Sequence, residues 1–135
     1  MAVSAEFMAT VRVVALGVVG LACVGYAVLA LMADRPDPVG WYWPATAGLL
    51  AGLVITFAAL VAGPRQARAA TDELYRAVNH RAQRQAYWLS MALFVVLAVA
   101  AAQGWIGHRT AMAVLGCLMG ASYLLLFVWH DLRTR

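Results

Sequence analysis

The sequence predicts an all-α integral membrane protein, four transmembrane helices in an up-down bundle, and three observations carry that prediction. The chain has 135 residues, of which 64% are hydrophobic and 12% charged, a balance that a soluble core cannot absorb. The apolar residues gather into four stretches, each about as long as bilayer hydrocarbon is thick. The charged side chains fall between and around those stretches. Length allows one domain, residues 1–135.

The first span runs from about Val11 to Met32, with Arg12 at its head, and the second from about Pro44 to Ala62. The third covers about Ala86 to Ala102 and the fourth about Ala111 to Trp129. Each is near the roughly 17–25 residues that cross hydrocarbon as a helix, the form in which a short chain satisfies its backbone in lipid. The first stretch reads as a span rather than a secretory signal, being longer than an h-region and lacking an A-x-A site.

Between the first two spans, Asp34-Arg35-Pro36-Asp37-Pro38-Val39-Gly40 is a turn-forming run. After the second, Gly63-Pro64 ends the helix, because proline cannot continue the hydrogen-bond ladder. Thr71 before Asp72 and Glu73 marks a helix start, with a hydroxyl cap and two carboxylates in the positive first turn. No Pro or Gly then interrupts the chain until Gly104, which predicts one helix from about Asp72 to Gln103. Its first turns, about 72–85, stand in the cytoplasm as a basic helix and extend the third span.

Orientation follows from arginine, since all ten basic residues are arginines and the net charge is +4. Arg12, Arg65, Arg68, Arg76, Arg81, Arg84, Arg133 and Arg135 lie on one side, and only Arg35 and Arg109 on the other. That asymmetry places both termini and the central loop in the cytoplasm. The all-arginine, Ala/Val/Leu/Gly-rich composition points to a GC-rich bacterial genome and hence to the inner membrane. Trp41, Tyr42, Trp43 and Trp105 then mark the outer interface, and Tyr87, Trp88 and Trp129 the inner one. A sugar- or peptide-binding cluster at Trp41 to Trp43 is the alternative use of those rings.

Gly48 with Gly52, and Gly116 with Gly120, have the GxxxG spacing that lets helix backbones approach closely. These, with Gly17, Gly20 and Gly25 of the first span, are expected to mark packing seams, within the bundle or between copies. Cys23 and Cys117 sit singly in spans one and four, without ligand spacing, and read as small apolar residues. On the basic helix, Leu74, Val78, Ala82 and Leu89 recur at helical spacing. That stripe packs on a neighbour while the arginines face outward, toward lipid phosphates or a docking protein.

Sites for chemistry are scarce. His80, His108 and His130 supply no facing pair at depth for haem, and the spans are read as free of Asp, Glu, Lys, Arg and His, which ion-coupled transport would use. Ser90 has no base within reach, and Asp34 and Asp37 are far short of a calcium cage. No cofactor, metal or direct nucleic-acid contact is expected.

The stretch Thr71-Asp72-Glu73-Leu74-Tyr75-Arg76-Ala77-Val78-Asn79-His80-Arg81-Ala82, leading into the third span, resembles a pattern in uncharacterised small four-helix bacterial inner-membrane proteins. Such proteins are often encoded beside a small helix-turn-helix regulator. The resemblance implies four helices and a regulatory partner, and it carries over no catalytic residue. The expected function is therefore non-enzymatic: an accessory subunit or membrane tether for a cytoplasmic regulator. Arg65, Arg68, Arg76, His80, Arg81 and Arg84 are its candidate contacts with the partner or anionic lipid. The rival is a small oligomeric transporter or channel for a neutral or amphipathic solute, lined by Thr56, Ser122 and Tyr123. A haem- or quinone-binding redox subunit is a weaker third reading.

Overall fold

The computed structural model describes residues 5–40, 42–65 and 73–134. They form four long helices, α1 (Ala5–Ala33), α2 (Tyr42–Ala62), α3 (Glu73–Ala102) and α4 (His108–Thr134), with no strand among the described residues. All four are long and apolar enough to cross a membrane. At about 1.5 Å per residue, α2 is about 32 Å long, close to hydrocarbon thickness, whereas α1, α3 and α4 reach about 40–45 Å.

The helices pack as a row rather than a closed four-helix bundle: α2 lies on α1, α1 on α4, and α4 on α3. The central contact is antiparallel. On α1, Val13, Leu16, Gly20, Cys23, Ala27 and Ala30 are buried or half-buried, and on α4 the same holds for Thr110, Val114, Cys117, Ala121, Leu124, Val128 and Asp131. Both stripes alternate steps of three and four residues, the period of about 3.5 that keeps two helices in register as they coil around each other. Ala27, Ala30, Ala111 and Val114 fill one end of this seam together with Leu97 and Ala101 of α3. Val19, Cys23 and Ala121 fill its middle, with Cys117 packed against them.

The close backbone approach is at Gly20, not at the GxxxG pairs. A Cβ there would lie 2.8 Å from Leu125 Cδ2 and 3.4 Å from Leu124 Cβ, whereas one at Gly48, Gly52, Gly116 or Gly120 would meet nothing within 4 Å. The expectation that those four glycines mark seams inside the bundle is therefore corrected. Their spacing is right, but they sit on faces that α1, α3 and α4 leave open.

The basic turns of α3 pack on α4, through a stripe that differs in part from the expected Leu74, Val78, Ala82 and Leu89. Tyr75 meets Phe127 of α4 edge-on at 5.5 Å, and Tyr123 donates to Asn79 Oδ1 at 2.6 Å. Its buried stripe is Val78, Ala82, Ala86 and Ser90, while Leu74 and Leu89 are exposed. Steps of four rather than seven follow the steeper i±4n ridge of the helix, and small side chains there let α3 settle closely on α4. Three helices thus share the arginine-rich end.

At the opposite end, two loops hold each other. The N–H groups of Asp34 and Arg35 return to the Leu31 and Ala30 carbonyls at 3.4 and 3.2 Å, closing α1 with Asp34 at φ 43°. Gly104, at φ 75°, closes α3 by the same pattern. Glycine takes that left-handed conformation without strain; an aspartate there needs another reason. Its carboxylate accepts the Gly107 N–H at 3.0 Å, just before the first turn of α4, where helix N-termini favour negative charge. Tyr26 donates to the Pro36 carbonyl at 3.1 Å and to Asp37 at 3.3 Å, binding the same loop to the helix below it.

Two stability outcomes follow. Gly20→Val should lower stability by about 1–3 kcal/mol through overpacking, while Gly48→Ala, Gly52→Ala, Gly116→Ala and Gly120→Ala each stay within about 0.5 kcal/mol; detergent unfolding of the purified chain reads both. Asp34→Ala should cost about 1 kcal/mol by releasing the start of α4, and Asp34→Asn should recover part of that loss.

Candidate functional site

At the arginine-rich end the α1–α4 seam finishes on two charges. Arg12 Nη2 lies 3.6 Å from Asp131 Oδ1, with both side chains largely buried. The guanidinium also covers the Tyr75 ring at 4.2 Å to its centroid and approaches Phe127 at 5.5 Å. Such a cation over an aromatic face gains about 1–2 kcal/mol when desolvated, which offsets part of what burying the ion pair costs. Around it Val78, Ala82 and Phe127 pack with Leu16, Tyr75, Tyr123 and Leu126. His130 and Gln85, hydrogen-bonded at 2.7 Å, join α4 to α3 once more.

This cluster escaped the sequence analysis, which placed both charges outside the apolar spans. A signal existed. Arg12 leads the steps Leu16, Gly20 and Cys23, and Asp131 ends the steps Ala121, Leu124 and Val128, so opposite charges stand at matching ends of two antiparallel stripes.

The expected basic surface forms on the other side of α3. With Val78, Ala82 and Ala86 held against α4, the residues Arg76, His80 and Arg84, spaced four apart, form an exposed ridge on the far face. Arg81 is exposed on its flank, in line with Gln85 and Trp88. Among the described residues Arg76, Arg81 and Arg84 take part in no ion pair. Arg65 is exposed just after Pro64, on a separate segment; Arg68, like Trp41, lies outside the described residues. The ridge is therefore Arg76, His80 and Arg84, a narrower surface than the whole loop.

The aromatic rings expected at interfaces point outward: Trp43, Trp88, Trp105 and Trp129 are all more than half exposed. Tyr42 stacks on Trp43 with centroids 6.1 Å apart, and Arg133 lies over Trp129 at 4.2 Å. The hydroxyls that a polar passage would use are engaged. Thr56 donates to the Gly52 carbonyl at 2.8 Å, Ser122 to the Met119 carbonyl at 2.8 Å, and Tyr123 to Asn79. Thr56 is moreover on α2, which packs on α1 and away from the other two. Among the described residues no three His, Cys, Asp or Glu side chains gather as metal ligands would.

Compared with protein-family models, with curated proteins and with solved structures, the chain matches none.

The buried pair makes a sharp prediction. Arg12→Met or Asp131→Leu alone should cost about 1–3 kcal/mol, since each strands a charge in an apolar seam. The double variant should recover more than half of the summed loss, read as a double-mutant cycle in detergent unfolding.

Proposed function

We propose that this chain is a multi-pass protein of the bacterial inner membrane with both ends in the cytoplasm. In this reading it acts without catalysis, as an accessory subunit or tether that presents the α3 ridge to a cytoplasmic protein. The observation that carries the reading is the ridge itself: three basic positions on the outer face of a helix whose inner face is locked to α4. A basic surface held rigid loses little entropy when a partner docks, and its charge speeds encounter with an acidic one.

Height along α3 favours a protein over lipid for the far end of this ridge. Trp88 is an interfacial ring in this reading, and Arg76 is twelve residues before it, or about 18 Å along the helix. A headgroup layer is only about 5–8 Å deep. Arg76 therefore clears the lipid, as does His80 at about 12 Å, while Arg84, at about 6 Å, lies at headgroup depth. Four exposed, apolar helices and the surplus of arginine at one end support the membrane and orientation parts of the reading. A transporter reading fits less well, because Thr56, Ser122 and Tyr123 are spent on bonds within the chain.

The test is crosslinking in cells from a photoreactive residue at Ala77, on the ridge. A discrete cytoplasmic protein should be captured, and Arg76→Gln with Arg84→Gln should reduce its yield by about tenfold, as expected for two charge contacts of up to about 1 kcal/mol each. Membrane insertion should not change. Capture that is equal in the double variant would eliminate this surface.

A further inference from the structure

We infer that the α3–α4 face opposite Arg12 is a binding site for the headgroup of an anionic phospholipid. The His130–Gln85 hydrogen bond sets two helix turns side by side. On α3, Arg81, Gln85 and Trp88 are at i, i+4 and i+7 and share a face. On α4, Trp129 and Arg133 are one turn apart beside His130. Tyr75, Asn79, Phe127 and Arg12 occupy the other side of the same two helices, so this face is separate from the buried cluster. It is separate from the partner ridge as well, sharing no residue with Arg76, His80 or Arg84.

Its chemistry is that of an anionic headgroup site. Arg81 and Arg133 are exposed, and among the described residues no carboxylate shares the face, since Asp131 turns inward to Arg12. Arg133 lies over Trp129 with its guanidinium carbon 4.2 Å from the ring centroid, which restrains its fork for the bidentate contact that phosphate oxygens make. Trp88 and Trp129 are more than half exposed below the two cations. Rings of this kind settle at headgroup level. Arg133 is about 6 Å beyond Trp129, and Arg81 about 10 Å beyond Trp88, within reach of one headgroup through a long flexible side chain. Two cations over two interfacial rings on adjacent helices select charge at that depth; a free anion would lack the acyl chains that the rings and the apolar helices below them contact.

The inference rests on the membrane reading above and not on the cytoplasmic partner. Purified full-length chain in mild detergent, given equal amounts of phosphatidylglycerol and phosphatidylcholine, is examined by native mass spectrometry. The wild type should retain phosphatidylglycerol in preference by about tenfold or more, at about fivefold per arginine near the headgroups. Arg81→Gln with Arg133→Gln should lower that preference by about tenfold or more, while Arg76→Gln, about 18 Å beyond Trp88, keeps the wild-type ratio. If the double variant unfolds in detergent, each single variant is read instead and should lower the ratio by about threefold to fivefold. An unchanged ratio in the Arg81/Arg133 variants overturns the site, as does an equal fall in Arg76→Gln. Displacement of phosphatidylglycerol by excess inorganic phosphate overturns the lipid as the ligand. Loss of partner capture with the lipid ratio intact would remove only the function proposed above.

Discussion

The seam between α1 and α4 is the contact on which the rest of the molecule depends. In water, helices stick because apolar faces leave solvent; among lipid tails that drive is missing, and close packing has to replace it. The two stripes answer with small residues at the points of contact, Gly20, Cys23, Ala27 and Ala30 against Val114, Cys117 and Ala121. Gly20 is where the fit is tightest, with no room for a Cβ beside Leu125. At its two ends the seam is finished by polar groups, Asp34 on the start of α4 and Arg12 on Asp131. α3 attaches to this pair through α4, and α2 through α1.

The peripheral place of α2 suits a helix long and apolar enough to cross a membrane. None of its residues is buried. Leu49, Leu53, Phe57 and Leu60 are each more than half exposed, and with Phe7 and Val11 the helix flanks an open groove of about 580 Å³ lined by carbon. In water, such a face would be an aggregation hazard many times the size of an ordinary apolar patch. Acyl chains solvate it without cost, and its satisfied backbone meets the one strict demand that lipid makes. The same argument explains Gly48 and Gly52. On a helix that needs no internal partner, small residues leave a smooth surface and are not themselves evidence of a seam.

What could be read from the sequence was what depends on length and local chemistry. The four helices follow from hydropathy, the stop of α2 from Gly63-Pro64, and the unbroken α3 from the absence of Pro and Gly over 72–103. The partners of each helix were not legible, because any of several faces in an Ala-, Gly- and Val-rich helix could serve equally. Thus Gly20, Gly116 and Gly120 are all seam candidates by sequence, but Gly20 makes a close contact while Gly116 and Gly120 face open space. The exposed ridge of Arg76, His80 and Arg84 could be anticipated because charge must avoid a packed apolar face. The buried pair left a signal in the two stripes, but delimiting spans by charge hides it. A rule that ends a span at its first arginine will always place Arg12 outside, even when the helix continues and turns that residue inward.

That inward turn has a consequence for specificity. Asp131 stands in the last turn of α4, where the unpaired carbonyls make a carboxylate unfavourable, and Arg12 interrupts an apolar helix face. Each residue weakens its own helix taken alone, and each is compensated only when α1 and α4 meet antiparallel in this register. Shifting the seam by one heptad would slide the helices by about 10 Å, and both charges would lie against hydrocarbon. Away from Gly20, which has no room for a Cβ beside Leu125, the apolar stripe tolerates such a slip, since its Ala, Val and Cys side chains leave no polar partner behind. The charge pair does not, so it sets the register that the small residues then fill. Setting that register also sets the arginine-rich end, because Tyr75 docks on the paired Arg12 and so fixes which face α3 turns outward.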